Sequence, residues 1–418
     1  MRPIRLTLLV ALAVLPRLAF PQGGQPLGPE FRINTFTTLG QAAPSVSSNG
    51  AGSFVVVWQS PQDGSGYGIF GQRFTASGVP LAPEFLVNTF TTGNQAAPAV
   101  AVDLVGSFIV LWQSEAQDGS GHGIFGQKYS SAGAPVGTEF RVNSFTTGDQ
   151  IAPSVGFDKL NAFYVAWTSD GQDGSGAGIY GQRFGSPGFP MGPEFRVNAT
   201  TAGNQRSPSI AANMAGNSVV VWESEGQDAG ASFGVFGQRY LATGAPAGSE
   251  FRINTHTTGN QIAATITNTL NNFVVAWQSY GQDGSSYGVF SQRYTSNGVP
   301  LGAEFRVNTF GTGYQMAPGL AGDANGDFVV VWESAAQDGS GAGVFGQRYA
   351  SSGAPLGAEF RVNTFTTNGQ SRAVAASSLS ANFVVIWQSD LQDGSSYGVF
   401  GQRYSPILPV DLMHFRVE

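Results

Sequence analysis

The sequence predicts an all-β fold made of seven copies of one four-stranded unit, and three observations predict it. The first is recurrence. All seven tryptophans (Trp58, Trp112, Trp167, Trp222, Trp277, Trp332 and Trp387) sit in one motif, Phe54-Val-Val-Val-Trp-Gln-Ser60 in its first copy, at gaps of 54 and then 55 residues. A period in this range belongs to repeat architectures, in which each copy is one supersecondary unit. The second is the kind of run between the breaks: short β-branched and aromatic stretches separated by Gly, Asp, Asn, Ser and Pro, with no helical period. The third is that the tryptophan run is apolar at nearly every position, so both of its faces must be covered. A four-stranded sheet cannot cover such a strand alone. Stacking the copies and closing the stack into a ring does so, which is the seven-bladed β-propeller, with four antiparallel strands in each blade and a repeat of about 55 residues.

The elements follow in order. In residues 1–24, Arg2 and Arg5 precede an apolar run from Leu6 to Leu15 and a short stretch ending at Gln22-Gly-Gly24. This reads as a secretory signal peptide, its run too short to span a bilayer. The expected location is therefore secreted, extracellular or at the cell surface, with the periplasm as the other compartment open to it. The repeat body occupies residues 25–405. Its second copy shows the four strands: Gln95-Ala-Ala-Pro-Ala-Val-Ala-Val102, Phe108-Ile-Val-Leu-Trp-Gln-Ser114, Gly123-Ile-Phe-Gly-Gln-Lys-Tyr129 and Glu139-Phe-Arg-Val-Asn143. The last alternates, Phe140 and Val142 inward, Arg141 and Asn143 toward solvent, as an outer strand should.

Counting that outer strand suggests how the ring closes. It occurs at 31–34, 85–88, 140–143, 195–198, 251–254, 305–308 and 360–363, and the first copy precedes any tryptophan strand. The unit around Trp387 lacks a clear outer strand, so residues 30–34 are expected to complete it. Residues 406–418 form a separate C-terminal tail whose end, His414-Phe-Arg-Val-Glu418, competes for the same role.

Composition excludes some functions. Only 11% of residues are charged, with 20 basic, 27 acidic and a net charge of -7. No basic patch is present for nucleic acid or an anionic membrane, and no later segment is apolar enough to cross a bilayer. With no cysteine, the core must stabilise the fold without disulfides. A monomer is expected.

The Phe-Val-Val-Val-Trp-Gln-Ser, Gln-Asp-Gly-Ser-Gly and Gly-Val-Phe-Gly-Gln-Arg-Tyr blocks together resemble a secreted bacterial β-propeller family of poorly assigned function. More loosely, the repeats are similar to integrin-type propellers with FG-GAP repeats, whose blades can carry a calcium loop. That likeness implies calcium at Asp323, Asn325 and Asp327, in the one turn with alternate oxygen ligands. The corresponding turns Ser48-Asn-Gly-Ala-Gly-Ser53 and Asp158-Lys-Leu-Asn-Ala162 do not match. No other cofactor is expected.

In a propeller, the turn from second to third strand and the link to the next blade share one face. Here those are the Gln-Asp-Gly-Ser-Gly loops and the Asn-Thr-Phe-Thr-Thr-Gly-Asn-Gln links, the longest and most polar connections, so this face is the expected ligand face. The recurrent Asp63, Asp118, Asp173, Asp283, Asp338 and Asp393 are read as structural caps of tight Asp-Gly turns, each with the recurrent cation, such as Arg73 or Lys128, as an expected partner. The tryptophans are read as inter-blade core. Ligand contacts are expected where the repeats disagree: Tyr67, His122, Phe233, Tyr287 and Tyr397 in the Asp loops, and Phe90, Phe145 and Phe310 in the links. Rings on polar loops suit carbohydrate or peptide recognition.

No catalytic residues are expected. His122, His256 and His414 occupy unrelated repeat positions, and nothing singles out two carboxylates among seven equivalents. The expectation is a secreted, non-enzymatic scaffold that binds extracellular glycan or protein through the Asp-loop face. A purely structural surface protein is the second reading and a glycan-active enzyme the third.

Overall fold

The structure, a computed structural model, describes residues 25–406 except 159–161, 186–187, 214, 229–231 and 271. The signal peptide expected over 1–24 and the tail strand expected near 414–418 lie outside the described residues. The rest is a seven-bladed β-propeller, seven antiparallel sheets of four strands each. Blade 1 runs from an inner strand Ala42–Ser48 through Phe54–Ser60 and Gly68–Phe74 to a short outer strand Phe85–Leu86. Blades 2 to 6 repeat this in chain order. Blade 7 takes Gln370–Ser377, Phe383–Asp390 and Tyr397–Tyr404 from the end of the repeats. Its outer strand is Phe31–Arg32, with Phe31 opposite Gly401 and Arg32 opposite Phe400. The inner strands neighbour one another around the whole ring, blade 7 against blade 1 included, and enclose a central channel.

The tryptophan strand holds the ring together because its two faces serve two interfaces. Phe54, Val56 and Trp58 pack with Val384, Ile386 and Val399 of blade 7. Val55 and Val57 face the other way and pack with Val110, Trp112 and Phe125 of blade 2. The pattern repeats at all seven interfaces, and every indole is 0% exposed. Where the second strand begins and the third ends, Phe54 stacks on Phe74 at 4.9 Å between ring centres, and Phe108 on Tyr129 at 4.6 Å.

Two local expectations are corrected. The recurrent cation does not meet the recurrent aspartate, because the two lie at opposite ends of the third strand. Arg73 instead donates to the backbone oxygens of Ser131 and Ala132 in the next blade's turn, at 2.6 and 2.5 Å. Arg293 and Arg403 likewise reach Ser351 and Ala76. The second concerns the outer strand, whose Asn was expected to face solvent. The chain leaves the ladder after the Arg, and Asn143 turns inward, 2% exposed. Its Oδ1 accepts the Ile124 amide at 2.7 Å, replacing the carbonyl that a continuing strand would have offered.

Candidate functional site at the Asp-loop end of the channel

The recurrent polar residues on the expected ligand face are committed to the fold. Asp63 Oδ1 accepts the Ser65 amide at 3.1 Å, closing its own turn. Its carboxylate occupies the space a side chain at Gly68 would need, since a Cβ there would lie 2.5 Å from Asp63 Oδ2. The motif glycine therefore exists for the motif aspartate. Beside them, Asn143 Nδ2 donates to Asp118 at 3.2 Å and to the buried Gln150 at 3.1 Å. The glutamate that opens each outer strand is used twice. Glu139 accepts from Gln117 of its own Asp loop at 2.5 Å and from the Thr89 amide of the preceding link at 2.6 Å. The second of these bonds recurs at every junction, with Glu30 closing the ring on Thr364 at 2.7 Å.

The variable aromatic residues are not brought together. Tyr67, Phe90, Phe145 and Phe310 are half-buried, each in its own blade. His122 Nδ1 lies 2.9 Å from Asp149, a pairing that strengthens the Asp149 acid. Phe233 lies under the Arg206 guanidinium, 4.0 Å from its ring centre. Tyr397 is exposed. Among the described residues, only Tyr287 of these candidates has an aromatic partner in the loops, Tyr280, at 5.2 Å and edge-on.

What the sequence reading missed lies one residue after each tryptophan. That side chain reaches into the next blade and accepts an amide hydrogen from its inner strand. Gln59 accepts from Ala97, Gln113 from Ala152, Gln278 from Ala317 and Gln388 from Ala43, at 2.8–3.3 Å. Each residue that donates its amide sits at a break in strand register and has a positive φ, between 50° and 54°. Three blades depart from glutamine. Thr168 accepts from Ser207 at 3.1 Å, Glu223 from Ala263 at 2.7 Å and Glu333 from Arg372 at 2.6 Å.

The two glutamates are nearly buried, 4% and 8% exposed, and their surroundings differ. Glu223 is ion-paired with Arg206 at 2.8 Å. For Glu333, burial pushes the carboxyl above its ordinary range, opposed by the Arg372 amide and charge. The two carboxyls thus sit at different blade junctions, in unlike environments. Lining up the seven copies at this position, Gln, Gln, Thr, Glu, Gln, Glu, Gln, is the signal that finds them.

The opposite end of the channel offers less chemistry. A cavity of about 460 Å³ opens there, its rim carrying Leu104, Leu270 and Leu379. Its acids are closed into hairpins: Asp103 Oδ1 accepts the amides of Val105 and Ser107, and Asp323 those of Asn325 and Asp327. Asn49 and Asn213 make the same turn in blades 1 and 4. The Asp323 turn thus fits calcium poorly, because its leading oxygen already serves two amides and a neutral Asn does the same work elsewhere. Among the described residues, no three His, Cys, Asp or Glu are grouped to hold a metal, and no helix is long and apolar enough to cross a membrane.

No family model and no curated protein matches the chain. Solved structures do. A protein of unknown function from Dyadobacter fermentans is 9% identical, covers 92% of this chain and 99% of its own, and superposes with a TM-score of 0.54. A fungal alcohol oxidase in complex with copper is 12% identical over 92% of this chain and 76% of its own, at 0.50. An α-L-arabinanase from Penicillium chrysogenum complexed with arabinobiose is 11% identical over 90% and 98%, at 0.49. At these identities the likeness speaks for the fold alone. Against the expectation of a non-enzymatic scaffold, glycoside hydrolases recur among the neighbours, at TM-scores of 0.35–0.39. That expectation held that seven equivalent blades single out no pair of carboxylates. The blades are not equivalent at this position, where blades 4 and 6 carry Glu223 and Glu333.

Proposed function

We propose that this propeller is a glycan-active hydrolase working at the Asp-loop end of its channel. One observation carries the reading: Glu333 is a nearly buried carboxyl held by a backbone amide, at a ring position where four blades use glutamine. A carboxyl made less acidic by burial suits protonation of a glycosidic oxygen. Glu223, ion-paired with Arg206, supplies the second carboxylate, as base toward water. The N-terminal apolar run supports work on an extracellular glycan by a secreted bacterial protein.

Reducing-sugar release from a panel of plant and microbial glycans tests this. Glu333→Gln restores the glutamine of the other blades and keeps the acceptor for Arg372, so folding should be untouched. The rate should fall by roughly 10²–10⁴, the usual contribution of general acid catalysis. An undiminished rate in the variant, or no release by the native protein on any glycan, refutes the proposal.

A further inference from the structure

The ring of positive-φ residues carries a second irregularity. Five blades place Ala there and one places Ser, small residues that tolerate the left-handed conformation at modest cost. Blade 7 places Arg372, at φ 53°. A long side chain in this region is uncommon and is retained only when the surroundings impose it. Arg372 is exposed on the inner strand that walls the channel, and its own amide is the donor held by Glu333. Its guanidinium has no hydrogen-bond or ion-pair partner among the described residues. Arg206, the other arginine at this end of an inner strand, differs: it is committed to Glu223 and to the face of Phe233.

We infer that Arg372 is a specificity residue that receives an anionic group on the substrate, so that the glycan is acidic. The inference rests on the hydrolase reading for its location. A guanidinium presents paired N–H donors that match a carboxylate or sulfate bidentately, and it stays charged at any working pH. In a chain of net charge -7, an unpaired cation beside the proposed acid holds the polymer by its charged sugar. The chemistry fits the carboxylate of a uronic acid or a sulfate ester.

Binding, measured apart from cleavage, tests it. Affinity electrophoresis would compare polygalacturonate, dextran sulfate and neutral arabinan against native protein, Arg372→Ala and Glu333→Gln. Arg372→Ala restores the residue of five other blades, so the fold should survive. Polygalacturonate or dextran sulfate should bind, whichever does naming the anion, with binding weakened by salt. That binding should fall at least tenfold in Arg372→Ala and persist in Glu333→Gln. Equal binding of arabinan, equal binding of single-stranded DNA, or no effect of Arg372→Ala overturns the inference. Arginine-dependent binding with no cleavage would sink the hydrolase reading and leave this one standing.

Discussion

Trp332 and Glu333 are neighbours on one strand and live under different rules. The tryptophan position is the same in seven blades, and each indole is wholly buried against the preceding blade. The next position faces the following blade and accepts Gln, Glu or Thr. The first must fill a volume of fixed shape, and few side chains can. The second must offer one oxygen to one amide, and several can. Shape complementarity leaves no freedom, whereas a single acceptor leaves room for a residue that does something further. That is why the proposed chemistry falls at 333 and not at 332.

The largest effect should come from breaking the first rule. Trp332→Ala should cost about 3–5 kcal/mol of unfolding free energy, the usual range for truncating a buried aromatic residue, read by chemical denaturation. Trp58→Ala should cost much the same, because its interface with blade 7 repeats the one at Trp332. A difference above about 2 kcal/mol between them, beyond the usual spread at fixed chemistry, would show that the interfaces are not equivalent.

How much of this could be read from the sequence follows the same division. Blade number, strand order and the buried face were legible because they depend on local period and apolar pattern, as in Phe54 to Ser60. The inter-blade ring was not. Gln59 and Ala97 are distant in sequence and meet only when two blades stack. Positive φ is usually read from glycine, and Ala97 gives no such sign. Asn143 was misplaced because alternation assumes a strand that continues, and this one ends two residues early. The pair Glu223 and Glu333 was visible as a departure from Gln, but its meaning depended on contacts across a junction.

A smaller effect should follow from breaking the second rule without touching chemistry. Gln278→Ala removes the acceptor for the Ala317 amide, 2.8 Å away. Leaving a buried donor unpaired costs about 1–3 kcal/mol. Gln278→Thr should recover part of that loss, since Thr168 already performs the task in blade 3. Equal stability of native protein and Gln278→Ala would mean that the ring of bonds adds nothing to closure.

The smallest effect is a pH dependence, and its sign separates Glu333 from the glutamines around it. Burial raises the folded-state pKa of Glu333 above its unfolded value. The folded protein therefore binds that proton more tightly than the unfolded chain does. Its stabilising contribution is complete below the unfolded value and is lost as pH rises through the folded one. At neutral pH the buried carboxylate is then a net cost that Glu333→Gln removes. Thermal melts of the two proteins should show the variant more stable at pH 7 and the gap closing as pH falls below the ordinary glutamate range. A gap that widens toward acid would mean that Arg372 outweighs desolvation and holds Glu333 ionised, which would remove it as a proton donor.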